Sequence, residues 1–171
     1  GGASVVTASL LPTETIACRL TPAGRSAVAV TELHGPAARS IVAAQFTPAE
    51  PSAADLPLDR LVYGDWLGEN GVREDLIIVR RGPERFEIQG HGGEAAPVAL
   101  MRQLTSFGCR QIDPWGRLQK GMSDTVRAEA IWCSATAIGW RAAHLLLWQA
   151  NGAQSRRLED WIGRIEELAS E

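Results

Sequence analysis

The densest chemistry in this chain is Gly90-His91-Gly-Gly93, just ahead of a helical pattern. An imidazole titrates near neutral pH, and glycines at a helix start expose backbone N–H groups that suit anions. Neither property makes a catalyst without partners. No G-x-S-x-G, catalytic cysteine signature or H-E-x-x-H stands beside His91, so it reads as a structural histidine, and the glycines as the means of a sharp strand-to-helix turn. His34 and His144 are isolated and show no metal-ligand spacing with His91. Cys18, Cys109 and Cys133 are widely spaced with no CxxC pair, which predicts buried reduced thiols rather than disulfides or a zinc site. Glu69, Glu74 and Asp75 fall in or beside a turn, where acids are ordinarily solvated. No G-x-x-x-x-G-K-[ST] occurs, so the chain lacks the lysine and backbone cradle for nucleotide phosphates and is expected to be inactive toward nucleotides by itself.

The totals narrow the function further. At 171 residues, 45% hydrophobic and 22% charged, the chain can bury one core and carry an appendage. Its net charge of -3 lacks the basic excess of a free-standing nucleic-acid binder, so nucleic-acid contact is not expected on this part. Sixteen of its 17 basic residues are arginine and Lys120 is the remaining one, a skew with no functional meaning of its own. No run approaches a membrane span and no leader pattern opens the chain, which predicts a cytoplasmic protein without membrane attachment.

The elements that must position these residues follow from periodicity and turn chemistry. Thr15 to Leu20, a Thr21-Pro-Ala-Gly24 turn and Ala27 to Leu33 predict strand, turn and strand. Ala37 to Phe46 predicts a helix, stopped by Pro48 and Pro51. Arg60 to Leu67 and Asp75 to Arg80 flank Gly68-Glu-Asn-Gly71 as a hairpin. Arg85 to Gln89 predicts a strand, and Val98, Leu100, Met101, Leu104 and Phe107 the apolar face of a helix ended by Gly108. Cys109 to Ile112 predicts a last strand. Asp124 to Ala150 reads as one continuous helix, with Ile131, Ile138 and Leu145 seven apart and Trp132, Trp140 and Trp148 widening its apolar surface. After Asn151-Gly152, a last helix aligns Leu158, Trp161, Ile162, Ile165 and Leu168 in a stripe that needs a partner. The expected fold is α+β, a mixed sheet with flanking helices over residues 1–122, followed by two helices over residues 123–171.

Two stretches carry a resemblance. Thr15-Ile-Ala-Cys-Arg-Leu-Thr-Pro-Ala-Gly-Arg25 matches a T-I-A-x-x-x-T-P-x-G-R segment, and Glu87-Ile-Gln-Gly-His-Gly-Gly93 matches an E-[IL]-x-x-H-G-G turn some sixty residues on. Arg127-Ala-Glu-Ala130 is similar to the Q-A-E-A that opens a helical region. In this order and spacing the chain resembles the amino-terminal domain and first helices of the MnmE (TrmE) tRNA-modification GTPases, from about residue 15 onward. The resemblance implies a fold akin to the folate-binding domains of aminomethyltransferases, homodimerisation, and 5-formyl-tetrahydrofolate as a one-carbon source for modifying the wobble uridine of certain tRNAs. It implies GTP only through a domain outside these residues, and tRNA and an MnmG-like protein as partners of the whole.

At the level of residues, Glu87 stands where the family's motif glutamate contacts folate, and a carboxylate can accept paired hydrogen bonds from the pterin's amino and ring N–H groups. An ion-paired acid at a strand end is the structural alternative. Seven residues after Arg25 the family carries a second folate-contacting arginine, and this chain has Glu32. The family's lysine-bearing P-G-E-F-T stretch is replaced by Pro114-Trp-Gly-Arg-Leu-Gln-Lys120-Gly-Met-Ser-Asp124, about four residues shorter, with Lys120 as the substitute cation. Glu87 and Lys120 are therefore the expected folate contacts, and Glu32 predicts weakened binding. Two functions stay open: a folate-binding, dimerising module of a tRNA-modification GTPase, or a dimerisation or regulatory scaffold that has lost the folate site.

Overall fold

Period-two alternation of buried and exposed side chains builds the sheet. In the computed structural model, which describes residues 14–24 and 26–169, Leu61–Leu67 (β4) buries Val62, Gly64 and Trp66 while Leu61, Tyr63 and Leu67 face outward. The other strands are Ile16–Arg19 (β1), Val28–His34 (β2), Phe46–Pro48 (β3), Arg73–Gly82 (β5), Arg85–His91 (β6) and Arg110–Ile112 (β7). They form one seven-stranded sheet in the order β3-β4-β5-β6-β2-β1-β7. Only β7 runs parallel to its neighbour, β1; the remaining pairs are antiparallel, so the sheet is mixed. The fold is α+β, as expected. Arg25, the last residue of the T-P-x-G-R motif, lies outside the described residues.

The expected hairpin is present between β4 and β5. Glu69–Gly71 makes one 3-10 turn, and Gly71 takes a φ of +76°, the conformation an Asn-Gly pair tolerates. Helices Ala38–Gln45 (α1) and Ala95–Ser106 (α2) cover one face of the sheet, where Ala17, Leu33, Ile78, Phe86, Ile88 and Leu104 belong to a single apolar cluster. Of the expected α2 face, Met101 and Leu104 are buried, whereas Val98 and Phe107 are exposed. Gln103 fastens this layer: its Oε1 accepts from Trp66 Nε1 at 2.8 Å and its Nε2 donates to the Leu67 carbonyl at 2.9 Å. Both side chains are almost fully buried, so the pairing satisfies donors that water cannot reach.

The described chain divides into two compact units, one ending at Pro114 and the other beginning at Trp115. The second contains nearly all of Pro114–Gly121 (α3), then Thr125–Ser134 (α4), Trp140–Ala150 (α5) and Ala153–Ala169 (α6). The continuous helix expected over Asp124 to Ala150 is thus corrected to two helices. Gly139, at φ 92° and ψ 152°, holds the chain out of helical geometry ahead of α5. Ile138, which the seven-residue spacing placed on an apolar stripe, is 96% exposed beside that break. Trp115 of α3 meets Trp132 of α4 with ring centroids 5.7 Å apart.

A polar corner joins the ends of these helices. Asp124 caps α4, accepting from the Arg127 backbone N–H at 3.0 Å, and its other oxygen accepts from Ser155 Oγ on α6 at 2.5 Å. Arg127 Nε donates to the Ala150 carbonyl at the end of α5. The Ser155 hydroxyl, and then the Arg127 N–H, hold the Asp124 carboxyl below its ordinary value of 3.8. The unfolded chain therefore binds a proton more readily than the folded one. The contribution of this corner is complete above that ordinary value and falls away as pH drops through the depressed folded value. Circular dichroism at 222 nm should accordingly show helix loss below about pH 4 that is shallower in Asp124→Asn; identical acid profiles would show that the corner carries no such linkage.

Candidate functional site

Successive residues of a strand leave the sheet on opposite faces, so Phe86 and Ile88 in the core put Arg85, Glu87, Gln89 and His91 on the other side. In the β2–β6 ladder Glu32 stands directly opposite Glu87. Two carboxylates in that relation repel, and each is answered by an arginine. Arg85 donates from Nε to Glu32 Oε2 at 2.7 Å, and its Nη2 stands 2.6 Å from the same oxygen as an ion pair. Arg81, on β5, donates from Nη2 to Glu87 Oε2 at 3.0 Å and from Nη1 to Asp59 Oδ1 at 3.1 Å. Glu87 first, and then Asp59, push the Arg81 guanidinium above its ordinary value, so it stays charged.

The two acids differ in access. The Glu32 side chain is 1% exposed, closed between its neighbours and Arg85, whereas that of Glu87 is 16% exposed. Among the described hydrogen bonds only Oε2 of Glu87 is engaged, and Oε1 is open to further donors. An ionised carboxylate has about four lone-pair sites, so Glu87 can serve Arg81 and a planar N–H donor pair together. The structure therefore brings Glu32 and Glu87 together. Lys120 lies in the last turn of α3, in the second unit.

The motif that follows Glu87 is shaped by backbone contact. β6 continues to His91, which pairs with Val28 of β2. The Gly92 N–H donates to the Ala27 carbonyl at 3.1 Å, and a Cβ on Gly92 would sit 1.7 Å from the Ser26 carbonyl oxygen, a distance no side chain permits. Gly93 follows at a φ of +88°. Both glycines are accounted for by the path of the chain. Exposed His91 lines a shallow, open depression with Ser26, Ala27, Gly92 and Gly93. No group of three His, Cys, Asp or Glu residues able to hold a metal occurs among the described residues.

Cys18 and Cys109 are buried, and burial pushes the Cys109 thiol up. Cys133 is exposed on α4, correcting the expectation of three buried thiols. Beside the hairpin, Tyr63 has its phenol pushed up, first by the charge of Asp75. No described helix is long and apolar enough to cross a membrane. The residues that sequence reasoning missed are Arg81, Arg85 and Asp59. A signal was available for Arg85: placed two residues before Glu87 on one strand, it must share that residue's face.

The asymmetry of the Glu32–Arg85 pair sets an expectation for stability. Arg85, 38% exposed, can be rehydrated when its partner is lost, while Glu32 cannot. Arg85→Ala should therefore cost about 3 kcal/mol and Glu32→Gln about 1 kcal/mol. Urea denaturation measures both, and equal losses would contradict the burial argument.

Comparison with known proteins agrees with the two motifs. No family model matches the chain. Curated relatives do: the tRNA modification GTPase MnmE of Caulobacter vibrioides is 32% identical over 161 residues, covering 87% of this chain and 34% of that protein. The MnmE proteins of Pseudomonas paraeruginosa, at 31% identity, and of Synechococcus sp., at 32%, cover 85% and 86% of this chain and 33% and 35% of themselves. The chain spans about a third of the length of the relatives it matches, and over that third it belongs to the MnmE family of tRNA modification GTPases.

Proposed function

We propose that this chain is the tetrahydrofolate-binding, dimerising amino-terminal part of an MnmE-like protein that modifies the wobble uridine of tRNA in the cytoplasm, with 5-formyl-tetrahydrofolate as one-carbon source. GTP hydrolysis, tRNA and an MnmG-like partner belong to the whole protein in this reading. The observation that carries it is Glu87, the motif glutamate, on the sheet face opposite α1 and α2 with Oε1 open to a donor pair. Arg81 holds that carboxylate in position by a hydrogen bond to Oε2, which leaves Oε1 to accept from pterin N–H groups. Lys120 is the second proposed contact.

The rival reading, a scaffold that has lost the folate site, rests on Glu32. Its carboxylate is enclosed and neutralised by Arg85, so it removes the attraction the family's arginine supplies and adds little repulsion of its own. Glu32→Arg alone would set two guanidinium groups against each other in a buried place. Exchanging the pair, Glu32→Arg with Arg85→Glu, keeps the ion pair and returns an arginine to the family's position.

Calorimetry with 5-formyl-tetrahydrofolate separates the two readings. The unaltered chain should bind weakly, the exchanged pair about tenfold more tightly, and adding Glu87→Ala should abolish the gain. Weak binding that no combination improves supports the scaffold, and tight binding that survives loss of Glu87 removes Glu87 from the site.

Dimerisation makes its own demand. Trp140, Leu147, Trp161, Ile165 and Leu168 are each at least half exposed, more apolar surface than a soluble monomer ordinarily leaves open. Sedimentation of the 171-residue chain should show concentration-dependent self-association. A strict monomer at high concentration would remove dimerisation from the proposal.

A further inference from the structure

On the sheet face opposite Glu32 and Glu87 the first unit holds another recess. A cavity of about 230 Å³ opens between α1, the 51–59 segment and strands β5 and β6. Val42, Leu56 and Phe86, all buried, form its apolar floor, and Arg39, Asp55 and Arg80 stand among its lining. The volume falls just below the roughly 300–1,000 Å³ of sites for drug-sized molecules, which limits the occupant to something smaller.

Two observations set this recess apart from a packing gap. Leu56 takes a φ of +48° and Asp59 a φ of +55°, left-handed conformations uncommon outside glycine and, for a bulky side chain such as leucine, a clear outlier. The segment is held there: the Leu56 N–H donates to Ala53 O at 3.0 Å, the Asp59 N–H to Arg80 O at 2.9 Å, and Leu58 bridges to Arg80. Strain that is clamped in place at a concave site is a pointer to function. The second observation is charge. Among the described residues the Arg39 side chain makes no hydrogen bond or ion pair, and that of Arg80 spends only Nε, on the Gly82 carbonyl. Two arginines with unused N–H donors thus stand in the lining of an apolar cavity, against a single carboxylate residue, Asp55.

We propose that this cavity binds a small organic monoanion, a carboxylate borne on a compact apolar body. Arg39 and Arg80 receive the carboxylate, and Val42, Leu56 and Phe86 enclose the body. Guanidinium groups match carboxylates through paired N–H donors, and the floor gives an inorganic anion nothing to bind. A neutral hydrocarbon would leave both arginines unused. The site is independent of the folate reading, since it lies on the other face of the sheet and its lining includes neither Glu87 nor Arg81.

The test is a nuclear magnetic resonance titration of the ¹⁵N-labelled chain with sodium benzoate, with benzamide as the uncharged match. Benzoate should bind with a dissociation constant on the order of 1 mM, shifting the amides of Val42, Leu56 and Phe86. Benzamide should bind about tenfold more weakly, and so should benzoate to Arg39→Gln, a change at an exposed, unpaired side chain that leaves the core intact. Ala43→Phe, at an exposed helix position lining the cavity, should block binding outright. The proposal is overturned if benzoate produces no saturable shifts at about twentyfold that concentration. It is equally overturned if benzamide or Arg39→Gln binds as well as the original pair, if Ala43→Phe still binds, or if the shifts gather at Ser26 and Gly93 instead.

Discussion

Two negative side chains face each other across the central ladder of this sheet, and much of the surrounding structure answers that fact. Glu32 and Glu87 are register partners on β2 and β6, which would push these strands apart if nothing intervened. Arg85 answers Glu32 from within the same strand as Glu87, and Arg81 answers Glu87 from the next strand while reaching Asp59. The result ties β2, β5, β6 and the segment before β4 through side chains as well as through backbone hydrogen bonds. Because Glu32 is enclosed and Glu87 is not, one acid is committed to the fold and the other keeps capacity for a ligand.

The opposite face of the sheet is organised by apolar packing with one polar fastening. Gln103 occupies a position where α2 meets the end of β4, and its amide satisfies the Trp66 indole and the Leu67 carbonyl at once. The large aliphatic and aromatic core residues lie under α1 and α2, and the Glu32–Arg85 and Glu87–Arg81 pairs stand on the other side. Each strand sequence records this in its alternation, so the two faces can carry separate sites.

Much of the first unit was legible in the sequence, because short strands with strong turn signals leave few alternatives. Gly68-Glu-Asn-Gly71 announced the β4–β5 hairpin, and Gly90-His-Gly-Gly93 announced a sharp turn out of β6, which Gly93 makes at a positive φ; the close approach of Ser26 to Gly92 was not foreseen. The helices of the second unit were less legible. The spacing of Ile131, Ile138 and Leu145 continues straight through a break, since Ala135-Thr-Ala-Ile138 contains no strong breaker and only Gly139 marks the interruption. Helix α3 had no sequence expectation at all, although a proline such as Pro114 suits the first turn of a helix. At the candidate site, Glu87 could be found from its motif. Its guanidinium partner could not, because Arg81 lies on a different strand and the pairing depends on register.

The ends of the sheet constrain how this molecule meets others. The outermost strands, β3 and β7, are each three residues long, and Pro48 in β3 has no N–H to offer. A neighbouring chain that tried to extend the sheet would find a template too short to hold it, which is how natural sheets avoid runaway edge-to-edge growth. Association through backbone pairing is thereby discouraged at both ends, and contacts made with side chains are left as the productive kind.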